Sequence, residues 1–208
     1  MSDIYKKLVL AFVSVFSLVV FSTQSFAAPV DDASKFVETV GNSAVATLTN
    51  KSLSKEKKQD KIEKLFRDNV DTAWIGKFVL GRFWKQATDD QKKRYLKEYE
   101  AFITNRYATR FSDYSSGSFK ILGAHDDGNG EFTINMQIES GEAGSKPVMV
   151  DYRVRKGSKF AIFDIIVEGV SMITTQRSEF TSVINSNGMD YLITQLANKT
   201  IVAGTEKN

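Results

Sequence analysis

The sequence predicts an α+β fold: a curved antiparallel sheet of four strands, or slightly more, wrapped by several helices. Two observations carry this. Helix-period hydrophobic patterns run up to residue 114, a period-two pattern holds from Ser118 to Glu168, and helix-period patterns return after it. The breaks inside the period-two block are short and rich in turn residues, which makes its strands a meander.

Ahead of the fold, residues 1–27 read as a leader to be cleaved. Lys6 and Lys7 precede a fourteen-residue run, Leu8 to Phe21, that is apolar but for Ser14 and Ser17; the polar Ser22-Thr23-Gln24 follows. Ser25 and Ala27 then stand at the −3 and −1 positions of a signal-peptidase cut before Ala28. Fourteen residues are too few to span a bilayer core, which needs ~20. The expectation is a periplasmic protein in which residues 28–208 form a single domain.

The elements follow in order. Asp31 or Asp32 caps a first helix running to about Asn50, with Phe36, Val37, Val40, Ala44 and Leu48 along one side. Ser54 caps a second helix, in which Ile62, Leu65 and Phe66 face inward. Lys55, Lys57, Lys58, Lys61 and Lys64 occupy the rest of it, either as a solvated face or as a patch for membrane headgroups or a partner. Asp71 starts a short helix through Trp74, Phe78 and Val79 that Gly81 ends, since glycine tolerates the left-handed geometry past a helix. Thr88-Asp89-Asp90-Gln91 has the capping-box pattern and opens the longest helix. Along it Leu96, Tyr99, Ile103, Tyr107, Phe111 and Tyr114 recur at steps of three and four, forming one aromatic-rich stripe.

In the strand block, Phe119/Ile121, Phe132/Ile134/Met136/Ile138 and Val148/Val150/Tyr152/Val154 alternate with more polar neighbours. Asp127-Gly128-Asn129-Gly130, Gly141-Glu142-Ala143-Gly144 and Lys156-Gly157-Ser158 separate the strands. The last strand, Phe160 to Val167, is apolar on both faces, so both should be covered. Ser171 to Asn185 and Gly188 to Thr200 read as closing helices, with Gly169 and Gly188 as hinges.

Composition removes whole classes of chemistry. The chain has no cysteine, which excludes thiol catalysis, disulfides and thiolate metal sites. Its single histidine, His125, adjoins the Asp126-to-Gly130 turn and is expected to be exposed at a strand end rather than to serve a zinc site or a Ser-His-Asp triad. Without the leader, 26 basic residues face 24 acidic ones, a net +2 that gives no reason to expect nucleic acid. Asp164 and Glu168 lie in an apolar strand. They are either buried carboxylates for lyase or isomerase chemistry, or a strand residue satisfied by backbone N–H groups and a residue at the mouth before Gly169.

The most specific local signal is Phe163-Asp164-Ile165-Ile166-Val167-Glu168-Gly169-Val170-Ser171-Met172, followed by Arg177-Ser178-Glu179-Phe180. It resembles the signature of the toluene-tolerance family, the periplasmic phospholipid-binding proteins of the Mla pathway. Gly81-Arg82-Phe83-Trp84-Lys85-Gln86-Ala87-Thr88, Gln91, Tyr99 and Tyr107 match the same pattern upstream, and Gly188-Met189-Asp190, Leu192-Ile193 and Leu196 match it downstream. The resemblance covers nearly all of the chain after the leader. Two departures stand out: family members commonly carry Trp at the position of Phe160 and Tyr at that of Gln176.

The resemblance implies a non-enzymatic carrier without a cofactor. Its cargo would be a glycerophospholipid, held with the acyl tails in a deep cavity between sheet and helices and the headgroup toward solvent. It also implies two docking partners, an outer-membrane lipoprotein–porin complex and the substrate-binding subunit of an inner-membrane ABC transporter, and with them a part in outer-membrane lipid asymmetry. A monomer is expected; a chaperone-like binding protein is the remaining class. On the sheet face opposed to the helices, Phe132, Ile134, Met136, Val150, Tyr152, Ile165 and Val167 are the candidate lining residues, joined from the helical segments by Phe78, Tyr107, Val170 and Met172. Arg177 either approaches the lipid phosphate, pairs with Glu179 or caps a helix. Val170 to Phe180 and Gly76 to Phe83 would form the rim, with Gly76, Gly81 and Gly169 as pivots. The choice of sheet face rests on alternation, which a one-residue slip in register would invert.

Overall fold

The computed structural model describes residues 27–112, 117–139 and 144–199. Residues 1–26, Tyr114, Thr200 and residues 141–143, where the sequence predicts a leader, the end of a stripe, the end of the closing helix and a turn, lie outside the described residues, as does the side chain of Phe111.

The chain opens with α1 (Ala27–Leu48), which starts ahead of Asp31 and so places both aspartates inside the helix rather than at its cap. Ala27 and Ala28 are strong helix formers and Pro29 is tolerated in a first turn, so nothing delays the helix to residue 31. α2 (Lys55–Asn69) begins where expected, with the Lys57 amide donating to Ser54 Oγ at 3.3 Å. α3 (Thr72–Leu80) is capped by Asp71, which accepts from the Trp74 amide at 3.0 Å, and ends at Gly81 with φ +53°. After α4 (Arg82–Gln86), the capping box forms reciprocally at the start of α5 (Asp89–Ser112). The Gln91 amide donates to Thr88 Oγ1 at 3.2 Å and the Thr88 amide to Gln91 Oε1 at 3.1 Å. α5 buries more than the predicted stripe, since Tyr95, Phe102, Thr104 and Ala108 are enclosed as well.

Five strands follow as one antiparallel meander: β1 (Ser118–Gly128), β2 (Glu131–Glu139), β3 (Val148–Lys156), β4 (Phe160–Val167) and β5 (Val170–Ser171). The two-residue β5 exists because Glu168 (φ +48°) and Gly169 (φ +79°) take the left-handed positions of a tight hairpin turn that folds Val170 back on Val167. Ser171 then caps α6 (Met172–Asn187), accepting from the Thr174 amide at 3.2 Å, and α7 (Met189–Ala197) closes the described fold.

Pairing settles which side chains share a face. Phe132 stands opposite Val154, Ile134 opposite Tyr152 and Met136 opposite Val150; Tyr152 and Val150 in turn face Ile165 and Val167. In β4 a bulge pairs Arg153 with Asp164 but Val154 with Ile162, leaving Phe163 as the extra residue. Ile162 and Ile165 therefore share one face although three apart, and Phe163 goes to the other. Both faces of β4 are covered, as its composition requires. Ile162 joins a cluster with Phe132, Ile134, Val154 and the α1 residues Ala33 and Val37. Phe163 joins the larger core of Val79, Leu80, Tyr95, Tyr99, Phe180 and Leu192. Trp74 meets the Phe163 ring edge-on at 5.3 Å, and the Arg153 and Arg155 guanidinium groups each lie 4.6 Å from its centre. His125 is exposed on β1. Among the described residues no helix is long and apolar enough to cross a membrane.

Candidate functional site

The antiparallel order gives the sheet two unlike ends. The β1–β2 and β3–β4 turns lie at one end; the start of β1, the end of β2, the start of β3 and the end of β4 lie at the other. The first half of α1 closes the turn end, where Ala33 and Val37 pack against Phe132 and Val154. Its second half carries the smaller side chains Gly41, Ala44 and Val45, and beneath them a cavity of about 390 Å³ is left between the helices and the sheet. That size suits a ligand pocket, which runs to ~300–1,000 Å³. Met136, Ile138, Val150, Tyr152, Ile165 and Val167 form the sheet wall. Phe66, Val70 and Ile75 face it, together with Ile103 and Tyr107 of α5 and Met172 and Ile173 of α6. Thr49, Ser118, Glu139 and Val148 line the cavity and are also exposed, so the opening is at the strand-end side.

Polar groups interrupt this apolar lining on both the sheet, at Ser118, Glu139, Tyr152 and Asp164, and the helices, at Tyr99, Arg106, Gln176 and Glu179. The Tyr99 hydroxyl donates to Gln176 Oε1 at 2.6 Å, both groups being buried. Burial raises the Tyr99 phenol well above its ordinary pKa and pushes Tyr152 up to about 12, with Tyr107 adding a smaller push to each. Tyr99 and Tyr152 therefore stay neutral at ordinary pH and bring no charge into the cavity. Arg106 is the one Lys, Arg or His among the described lining residues.

The two acids that the sequence offers for catalysis are both held by hydrogen bonds, Asp164 at the cavity wall and Glu168 outside it. Asp164, 2% exposed, accepts from the Ile165 amide at 2.8 Å, the Ile173 amide at 3.3 Å and the Ser171 hydroxyl at 2.7 Å. It fixes the start of α6 to β4. Glu168 is exposed and accepts from the Met149 amide at 2.7 Å, holding the β4–β5 turn against β3.

Of the residues singled out in the sequence, Tyr107, Met136, Val150, Tyr152, Ile165, Val167 and Met172 line the cavity. The other five lie elsewhere. Phe132 and Ile134 share the sheet face but are buried toward the closed end under α1, because alternation fixes a face and not a position along the strand. Phe78 packs into the larger core, its ring 5.2 Å from that of Trp74. The Arg177 guanidinium lies over Phe78 at 5.0 Å and against Gly81, where an added Cβ would come within 2.8 Å of Nη2. Arg177 thus clamps the end of α3 instead of facing the cavity. Val170 is 48% exposed on β5, paired with the lining residue Val167 but not itself part of the cavity wall. The Gly76–Phe83 segment contributes no lining residue, and Gly76 is closely packed: an added Cβ there would lie 3.0 Å from the Tyr99 ring. Sequence reasoning missed Arg106 and the small residues of α1. Ile138 and Val148 were legible, since they continue the alternation of their strands.

The fold and the cavity define a class: an α+β layer in which an antiparallel meander and its helices enclose an apolar chamber open at one end. Residues 38–198 match the model of the MlaC protein family, and the chain belongs to that family. Over 131 residues it is 28% identical to the intermembrane phospholipid transport system binding protein MlaC of Haemophilus influenzae, a stretch spanning 61% of this chain and 61% of that protein's length. A phospholipid-binding protein from Ralstonia solanacearum, solved in complex with a phospholipid, shares the fold with a TM-score of 0.69. The match covers 81% of this chain and 97% of that one at 21% identity.

Proposed function

We propose that this chain is a periplasmic phospholipid carrier, exported by the leader at residues 1–27 and folded as a single domain over residues 28–208. It would hold a glycerophospholipid with its tails in the cavity and carry it between an outer-membrane lipoprotein–porin complex and the substrate-binding subunit of an inner-membrane ABC transporter, and so maintain lipid asymmetry. The observation that carries the reading is the largely apolar chamber of about 390 Å³ between sheet and helices, open at the strand-end side, in a chain of the MlaC family. The physics demands apolar cover for the tails. Two acyl tails hold ~30 methylenes, and exposing them to water would cost on the order of 25 kcal/mol. A carrier must therefore cover nearly all of both tails. Arg106, the one cationic side chain among the described lining residues, has the chemistry for a phosphate, and the buried, neutral Tyr99 and Tyr152 add no charge beside the tails. Binding without catalysis is supported by Asp164 and Glu168, whose carboxylates are held by structural hydrogen bonds.

The test is extraction of fluorescent phospholipid from vesicles by the purified chain lacking residues 1–27. Wild type should take up lipid, whereas Val167→Arg, which sets a charge in the sheet wall, should not, with circular dichroism unchanged. Uptake by neither would overturn the carrier reading.

A further inference from the structure

A glycine in the middle of a helix has to be explained, because glycine is the least favourable residue there apart from proline. Gly41 sits inside α1 and lines the cavity. A Cβ added to it would lie 2.8 Å from both Cε1 and Cζ of Phe119 and 3.3 Å from Cε2, so the Phe119 ring already fills the space of a side chain. Phe119 also lines the cavity, on β1 opposite Ile138. β1 is an edge strand of the sheet, with β2 on one side and, among the described residues, no strand on the other. The seam between β1 and α1 therefore has no backbone ladder and is closed by side chains alone.

We propose that the Phe119 ring seated on Gly41 is the side wall of the chamber and sets how much acyl chain it admits. The inference rests on the carrier reading for its ligand, an acyl tail, and on the contact itself for its geometry. A side chain at position 41 must push the ring into the chamber or lift α1 from the sheet. Removing the ring must extend the chamber to the helix.

The experiment is a complementary exchange: Gly41→Leu, Phe119→Ala and the double variant, all lacking residues 1–27. Each is read by native mass spectrometry with acyl-chain analysis of the bound lipid and by titration with the apolar dye N-phenyl-1-naphthylamine. Gly41→Leu should bind the dye roughly tenfold more weakly, the effect of losing room for about two methylenes. Phe119→Ala should shift the bound lipids toward longer chains, and the double variant should return to wild-type dye affinity. A folded Gly41→Leu with wild-type dye affinity and chain distribution would overturn the assignment. If Gly41→Leu does not fold, Phe119→Ala decides alone, since unchanged chain lengths and dye affinity in it overturn the proposal equally. A wild type that carries no lipid refutes the carrier reading instead, and the dye still judges the wall.

Discussion

Asp164 carries more of the architecture than its place in an apolar strand suggests. Three donors converge on it, two of them backbone amides, and one belongs to the first turn of α6. Asp164→Ala should leave those donors short of partners in a buried site, at a cost of about 2–4 kcal/mol in urea unfolding. Asp164→Asn keeps an acceptor oxygen and should lose less. A catalytic role would reverse the pattern, with both variants inactive and neither unstable. Neighbouring residues separate the cavity from its surroundings just as sharply. Val167 lines the chamber and Val170, its partner across the hairpin, is 48% exposed. Val170→Arg should therefore load lipid as wild type does, and a lipid-free Val170→Arg would mean that the chamber extends past β5. Arg106 and Arg177 show what a single sequence withholds. Both are arginines beside aromatics on predicted helices, and only the approach of Arg177 to Gly81, across almost a hundred residues of chain, removes it from the cavity.

At the scale of elements, local chemistry decides most starts and stops. The caps at Ser54, Asp71 and Thr88 are legible because each is a side-chain oxygen meeting an amide three residues on, with no help from distant parts of the fold. Thr88→Ala should accordingly cost about 1 kcal/mol by urea unfolding; a change near zero would assign the start of α5 to tertiary packing. Strand alternation gave the correct sheet face for Met136, Val150 and Tyr152, since the period of two is set by the backbone itself. The rest depended on contacts that no local pattern encodes. The bulge at Phe163 reverses the parity of β4 halfway along, and β5 needs Glu168 in a left-handed conformation that β-strand and helix patterns do not announce. The start of α1 departs from the cap pattern because its two acids follow residues that are themselves good helix formers.

For the whole molecule, the phenols buried around the larger core and the chamber make stability depend on alkaline pH. Burial raises Tyr95 and Tyr99 well above their ordinary value and Tyr152 to about 12. The unfolded phenol ionises near pH 10 and the folded one later, so the folded state binds the extra proton between these limits. The contribution is complete below pH 10 and is lost as pH rises toward 12, at about 1.4 kcal/mol per pH unit for each phenol still protonated only in the fold. The urea midpoint should fall steeply across that window, and Tyr152→Phe should fall less steeply; equal slopes would mean that Tyr152 is wetter than its neighbours. The chamber is a product of the same scale. α1 packs tightly at one end of the sheet and leaves room at the other, so composition alone could not separate a lined cavity from a filled core.

The most direct measurement is native mass spectrometry, with lipid analysis of an organic extract, on protein purified from a bacterial periplasm without detergent. The account predicts a stoichiometric phospholipid on a chain beginning at Ala28. A lipid-free protein that also takes up no lipid from vesicles would contradict it.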